Sequence, residues 1–193
     1  VTSGSLNQRK RRGSSAGSRA VRRVRPRARE SEDEPLRFRW FNDPEVTEHP
    51  TVRYPVSHNQ EKCFIEGHSS PSYGDANFAV ERLDNGLLIG GVELSVDSPE
   101  NRSATLGIAI GDKDSWDGGF GTDTMRTVCR FGFEMMNLHR IELEVYASKA
   151  RARHVYEKVG FAVEGTRRDG VFKFGADQNV VVMGLIEGEL LWD

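Results

Sequence analysis

The stretch Ser115 to Asp123 reads Ser-Trp-Asp-Gly-Gly-Phe-Gly-Thr-Asp and has the composition of an anion site. It follows an alternating strand pattern, Ala104 to Ile110, and precedes a helical pattern that begins at about Thr122. Its glycines therefore fall where a strand turns into a helix N-terminus. A helix start leaves backbone N–H groups without partners and carries roughly half a positive charge, and glycines let a ligand approach that backbone closely. A phosphate or pyrophosphate suits such a place. The spacing is neither the G-x-G-x-x-G dinucleotide fingerprint nor a P-loop, which ends in Gly-Lys-Ser/Thr. Taken alone, the stretch is equally a glycine-rich turn that serves only the fold.

The elements that must position this stretch follow from periodicity. Ala20 to Arg27 forms a weak first strand. Ser31 with Glu34 resembles a capping box and opens a helix through Leu36, Phe38, Trp40 and Phe41, which Asn42-Asp43-Pro44 ends. Ser57 with Gln60 opens a second helix whose apolar face is Cys63, Phe64 and Ile65. Three strands then follow in a meander, at about 78–83, 87–96 and 103–110, joined by Asp84-Asn85-Gly86 and by Asp97-Ser98-Pro99-Glu100-Asn101. Met125, Val128, Cys129, Gly132, Met135 and Met136 mark one face of a long helix that Asn137 caps. Ile141, Leu143 and Val145 alternate as a strand. Ser148 caps a further helix, and Gly160-Phe161 supplies a Schellman stop. Two strands close the chain, Phe161 to about Phe174 and Asn179 to Ile186. A strand, glycine turn, helix, strand sequence is a right-handed crossover between parallel neighbours, so one parallel pair is expected inside an otherwise antiparallel sheet.

Charge divides the chain. Residues 1 to 29 hold ten Lys or Arg and no acid, which leaves 17 basic and 29 acidic residues, a charge of −12, in residues 30–193. Residues 1–19 are Ser, Gly, Arg and Lys with little apolar content and are expected to be a disordered basic tail, able to contact nucleic acid or an acidic surface. Residues 20–193 are expected to form a single domain. No membrane-spanning stretch or signal h-region is seen, and the expected location is cytoplasmic. Cys63 and Cys129 lie in helical patterns among apolar neighbours and are expected to be reduced core residues, with no ligand spacing for a metal.

Three motifs, Trp40-Phe41-Asn42-Asp43-Pro44-Glu45-Val46, Trp116-Asp117-Gly118-Gly119-Phe120-Gly121-Thr122 and Tyr156-Glu157-Lys158-Val159-Gly160-Phe161, occur in the order and spacing of the GNAT superfamily of N-acetyltransferases. The chain resembles its RimJ/RimL-like branch from about Ala20 to Glu187. The resemblance implies an α+β fold, a mostly antiparallel central sheet with one splayed parallel pair flanked by helices. It also implies acetyl-CoA as co-substrate and no metal. The acetyl group would move to a primary amine, either a protein N-terminal α-amine or a small cationic amine. The alternatives are a polyamine or aminoglycoside acetyltransferase and a catalytically weak binding or regulatory module. The basic tail could bring the enzyme to nucleic acid or the ribosome, and the protein would be a monomer or homodimer.

The same resemblance assigns residues. Backbone groups near Ile108 and Ile110 would hold the pantetheine arm and the thioester, with the Ile108 N–H serving the oxyanion. Trp116, Gly118, Gly119, Phe120, Gly121 and Thr122 would form the pyrophosphate loop. Tyr156 matches the tyrosine that protonates the departing thiolate, and a phenol near ~10 suits that donation. For the base, Glu93, Asp97, Glu142 and Glu144 lie on or beside central strands. Glu93 is preferred because Gly91-Val92-Glu93-Leu94 matches a segment carrying an acid in polyamine-acting relatives. His139 and His154 could titrate suitably but read as structural. Gly118 replaces a usual Lys, Arg or Gln, Asp117 adds a negative charge, and Lys149 stands where Asn is usual. Lys149 and Arg151, with Arg153, would then supply the cationic charge the loop lacks.

Overall fold

The computed structural model describes residues 22–48, 54–67 and 74–192. The expected basic tail at 1–19 lies outside these residues. The described residues form a seven-stranded sheet in the order β1-β2-β3-β4-β5-β7-β6: β1 Val24–Ala28, β2 Asp75–Arg82, β3 Leu88–Ser98, β4 Ser103–Ile110, β5 Arg140–Tyr146, β6 Ala162–Lys173 and β7 Ala176–Ile186. Four helices accompany it: α1 Glu34–Phe41, α2 His58–Gly67, α3 Phe120–Met135 and α4 Ala150–Val159. The parallel pair is β4–β5, and every other pairing is antiparallel. The mixed sheet is the one the sequence order implied.

Register sorts the side chains onto two faces. Val92 opposes Ile108, Leu94 opposes Leu106, and Ala104 pairs with Ile141 on one face. There the sheet packs against Met125, Val128 and Cys129 of α3 and Val159 of α4, all essentially inaccessible. Gly91 opposes Ala109 and Glu93 opposes Gly107 on the other face. This second face is covered by α1 and α2: the Arg37 side chain lies over Gly91, and the Trp40 ring sits against Gly111.

Several expectations at helix ends and faces differ from the structure. The first capping box is Glu30 with Asp33, not Ser31 with Glu34, and it opens a 3-10 turn, Ser31–Asp33, that runs into α1. Asp33 is drawn in because its carboxylate also holds the Arg27 guanidinium, at 2.7 and 2.8 Å. The box of α2 is as expected: Ser57 N–H donates to Gln60 and Gln60 N–H to the Ser57 hydroxyl. Cys63, however, is exposed, while Cys129 is buried with its thiol pushed up by burial. On α2 the inward positions are Ile65 and Glu61, and Glu61 is admitted by its ion pair with the buried Arg37. The cap of α4 falls at Lys149 rather than Ser148, without a side-chain hydrogen bond. The Gly160 stop holds, with φ +114° and Phe161 N–H donating to the Tyr156 carbonyl.

Candidate active site

The glycine loop presents a bare helix N-terminus. A 3-10 turn, Lys113–Ser115, leads to Trp116, whose indole N–H donates to the Ile110 carbonyl at 2.8 Å and pins the loop to the end of β4. Asp117 and Gly119 then take positive φ, +62° and +78°, which redirects the chain into α3. A side chain at 118 would run into the Phe120 ring. The helix begins at Phe120, two residues earlier than the pattern implied, so Phe120, Gly121 and Thr122 form its first turn. Gly119 at the cap offers no side chain. The first-turn acid Asp123 faces away and accepts the N–H groups of Arg23 at 2.7 Å and Val24 at 3.0 Å. Among the described residues no side chain caps the N–H groups that open this 16-residue helix, an arrangement that fits a phosphate group.

Cations surround this loop. The Arg23 guanidinium donates to the Gly118 carbonyl at 2.7 Å. Sequence reasoning missed Arg23 because it falls in the run of arginines next to the tail. Arg151 is ion-paired with Asp117, so the loop carboxylate is met by the helical arginine expected to offset it. Lys149 turns instead to Glu48, and Arg153 lies 4.0 Å from Glu157.

Beyond the loop the parallel pair opens. The β4–β5 ladder runs through Ser103↔Arg140, Ala104↔Ile141 and Thr105↔Glu142 and then stops, while β5 continues against β7 to Tyr146. Gly111 N–H donates to Ile89 on β3. In an antiparallel ladder every second residue faces the partner, so Ala109 and Gly107 also turn to β3, and Ile108 and Ile110 turn toward the gap. The Ile110 carbonyl is taken by Trp116; the amide of Ile108 remains directed into the opening. A thioester arm laid here could pair with that edge as an added strand.

On the face of β3 and β4 beneath α1 and α2 lies a cavity of about 180 Å³, bounded by the strand residues 91–93 and 107–109 and by Arg29, Arg37, Phe41, Glu61 and Phe64. Two glycines make it possible. A Cβ at Gly107 would lie 2.8 Å from Glu93 Oε1, and one at Gly91 would lie 3.1 Å from Arg37 Nη1. Glu93 is the carboxylate of the expected set that reaches this cavity. Glu142 is paired with Arg140 at 3.1 Å, Glu144 with Arg167, and Asp97 accepts from the Thr105 hydroxyl at 2.9 Å. His139 stands 3.6 Å from Glu187, and His154 is exposed.

Tyr156, on α4, packs partly against the core, its ring 6.4 Å from that of Phe161. Burial pushes its hydroxyl up to about 12, above the ordinary phenol value assumed from sequence. The group is therefore fully protonated throughout the physiological range. No His, Cys, Asp or Glu cluster among the described residues could hold a metal ion, and no helix among them is long and apolar enough to cross a membrane.

Known proteins share this fold. A family model described as an acetyltransferase (GNAT) domain matches residues 23–162. The chain is similar to an uncharacterized N-acetyltransferase, p20, of Bacillus licheniformis, 26% identical over 169 residues, 86% of this chain and 94% of that protein. It is also similar to a putative ribosomal N-acetyltransferase, YdaF, of Bacillus subtilis, 30% identical over 118 residues, 61% of this chain and 64% of that one. Among solved structures, spermidine N-acetyltransferase from Vibrio cholerae in complex with CoA and spermine superposes with a TM-score of 0.79 at 26% identity, covering 86% of this chain and 97% of that chain.

Proposed function

The chain belongs to the acetyltransferase (GNAT) domain family, and from that premise we propose that its site transfers the acetyl group of acetyl-CoA directly to a small primary amine held in the cavity beneath α1 and α2. The observation that carries this reading is the open edge of β4. It has the bare N-terminus of α3 at one end and the Glu93 cavity against its other side.

Acetyl-CoA supplies the activated carbonyl. The N–H groups of Phe120, Gly121 and Thr122, with Arg23 and Arg151 beside them, receive its pyrophosphate. Ile108 N–H points to where negative charge develops on the carbonyl oxygen, a role worth roughly 3 kcal/mol. Glu93, directly or through water, takes one proton from the ammonium and so frees its lone pair. A C–N bond then forms and the C–S bond breaks. Tyr156 donates its hydroxyl proton to the leaving sulfur and is recharged by the second proton of the amine. The products are an acetamide, free CoA and one proton released through Glu93.

The test combines calorimetric titration of acetyl-CoA with thiol release against a panel of amines. Binding with amine-dependent thiol release supports the reading; absence of binding at millimolar acetyl-CoA refutes it.

The RimJ/RimL-like placement and a cytoplasmic location belong to the same reading, supported by the three ordered motifs and by the likeness to YdaF. Contact of residues 1–19 with nucleic acid or the ribosome is supported by their basic composition. Deleting them should weaken RNA binding and flatten its salt dependence, and unchanged binding would remove that role.

A further inference from the structure

Arg29 stands apart among the described residues that line the cavity. Its side chain is only 5% exposed, yet Nε and Nη1 are buried without a hydrogen-bond partner, and Nη2 stops 3.9 Å from Glu93, beyond hydrogen-bond length. Its neighbour Arg37 is complete by comparison. Both guanidiniums lie over the Phe64 ring, Arg29 at 5.0 Å and Arg37 at 5.2 Å, but Arg37 Nε also donates to Glu61 at 3.0 Å. Burial, then the charge of Arg37, push Arg29 down to about 10, so it remains a cation at neutral pH. A buried cation with open donors is expensive to keep unless something completes it.

The chemistry of the walls narrows what that is. A guanidinium is a planar fork shaped for a carboxylate. A phosphate dianion would set a second negative charge against both Glu61 and Glu93. A polyamine would bring cations against both Arg29 and Arg37. An amine and a carboxylate on neighbouring atoms repeat, with opposite sign, the closely spaced Glu93 and Arg29 charges. The cavity, at about 180 Å³, also lies below the usual ~300–1,000 Å³ of drug-sized ligand pockets.

We propose that the acceptor is an amino-acid-type zwitterion, its carboxylate held by Arg29 and its amine set against Glu93. This rests on the reading of the cavity as the acceptor site, and it departs from the polyamine for which the structurally similar Vibrio spermidine N-acetyltransferase is named.

The experiment uses the full chain. Thiol release from acetyl-CoA is measured with each of the twenty protein amino acids, with their methyl esters and with spermidine. The expected result is at least one amino acid acetylated about tenfold or more better, in kcat/KM, than its own ester and than spermidine. Esterification removes the carboxylate but makes the amine less basic and more often neutral, so a preference for the acid cannot come from amine reactivity. Arg29→Gln should lower kcat/KM for that amino acid by about 10- to 100-fold, mainly through KM, and should erase the preference over the ester. Its affinity for acetyl-CoA by calorimetry should match wild type. If that variant does not fold, the wild-type comparison of acid and ester decides alone. Equal use of acid and ester, a preference for spermidine, or acetyl-CoA binding with no amino acid acetylated overturns the inference and leaves the acetyltransferase reading standing. Absence of acetyl-CoA binding removes that reading first.

Discussion

Replacing Asp117 by Asn should tighten CoA binding, although it removes a charged residue from the middle of the loop. Asp117 sits at φ +62°, a conformation that Asn shares readily, so the loop need not move. Two effects add. A carboxylate about 6 Å from a phosphate charge in water-like surroundings costs about 0.7 kcal/mol. The substitution also releases Arg151, whose pair with Asp117 is 64% and 77% exposed and so worth only about 0–1 kcal/mol to the fold. The sum is about 1 kcal/mol, or roughly fivefold in Kd. Calorimetry at 50 mM salt should read that gain, and at 0.5 M salt most of it should vanish by screening. Arg151→Gln should weaken binding, and by more in the Asp117→Asn background, where Arg151 is free to face the ligand. An Asp117→Asn protein that binds CoA no better than wild type at low salt, with Arg151→Gln silent, would mean that the pyrophosphate lies elsewhere.

Tyr156→Phe should lower kcat by about 10²–10³-fold with CoA affinity within twofold of wild type. Because burial pushes the Tyr156 hydroxyl up to about 12, wild-type kcat should show no loss through this group up to pH 10; an alkaline limb below pH 10 that Tyr156→Phe abolishes would contradict the assignment. Gly107→Ala places a methyl 2.8 Å from Glu93 Oε1 and should cut kcat/KM for the amine about tenfold while the melting temperature moves by only ~3 °C; unaltered kinetics would take Glu93 out of the site. Asp33→Asn should cost about 2 kcal/mol by removing one of the two carboxylates on Arg27, which keeps Glu81, a fall of about 4–8 °C in melting temperature. Burial pushes Asp33 up, but the hydrogen bonds from Arg27 and from Glu30 N–H outweigh it and hold the folded pKa below its ordinary value. Its stabilisation is therefore present above about pH 4 and lost as pH falls through the folded pKa, so wild-type and Asp33→Asn melting curves should converge in acid. Curves that stay parallel down to pH 2 would count against this.

Apart from the weak β1, the strands and α3 were legible because their periods are clean, and the Asp84-Asn85-Gly86 turn fixed how two of the strands meet. Composition alone left the glycine loop equally a structural turn and an anion site, whereas its coupling to a parallel crossover followed from element order. Buried ion pairs were not legible. Cys63 looked like core because helical patterning counts apolar residues, whereas α2 turns Glu61 inward to meet Arg37 from another helix. The first capping box was misplaced by one residue for a similar reason, since Asp33 serves Arg27 as well as the helix start. Arg23 and Arg29 were absorbed into a basic run. Yet Arg23, Arg25, Arg27 and Arg29 recur at every second position, which is the signature of one face of a strand rather than of a solvated tail.

Strand β1 also acts as a ruler. Arg23, just before it, reaches the glycine loop, and Arg29, just after it, closes the cavity beneath α1 and α2. Six residues of extended chain fix these two guanidinium-bearing positions about 20 Å apart along the strand. A slip of one residue against β2 would turn every arginine of the strand to the opposite face of the sheet. Spacing between the two ends of the site is thus inherited from one short edge strand, and substitutions in it cannot drift independently: an insertion between Val24 and Ala28 would dismantle both ends at once.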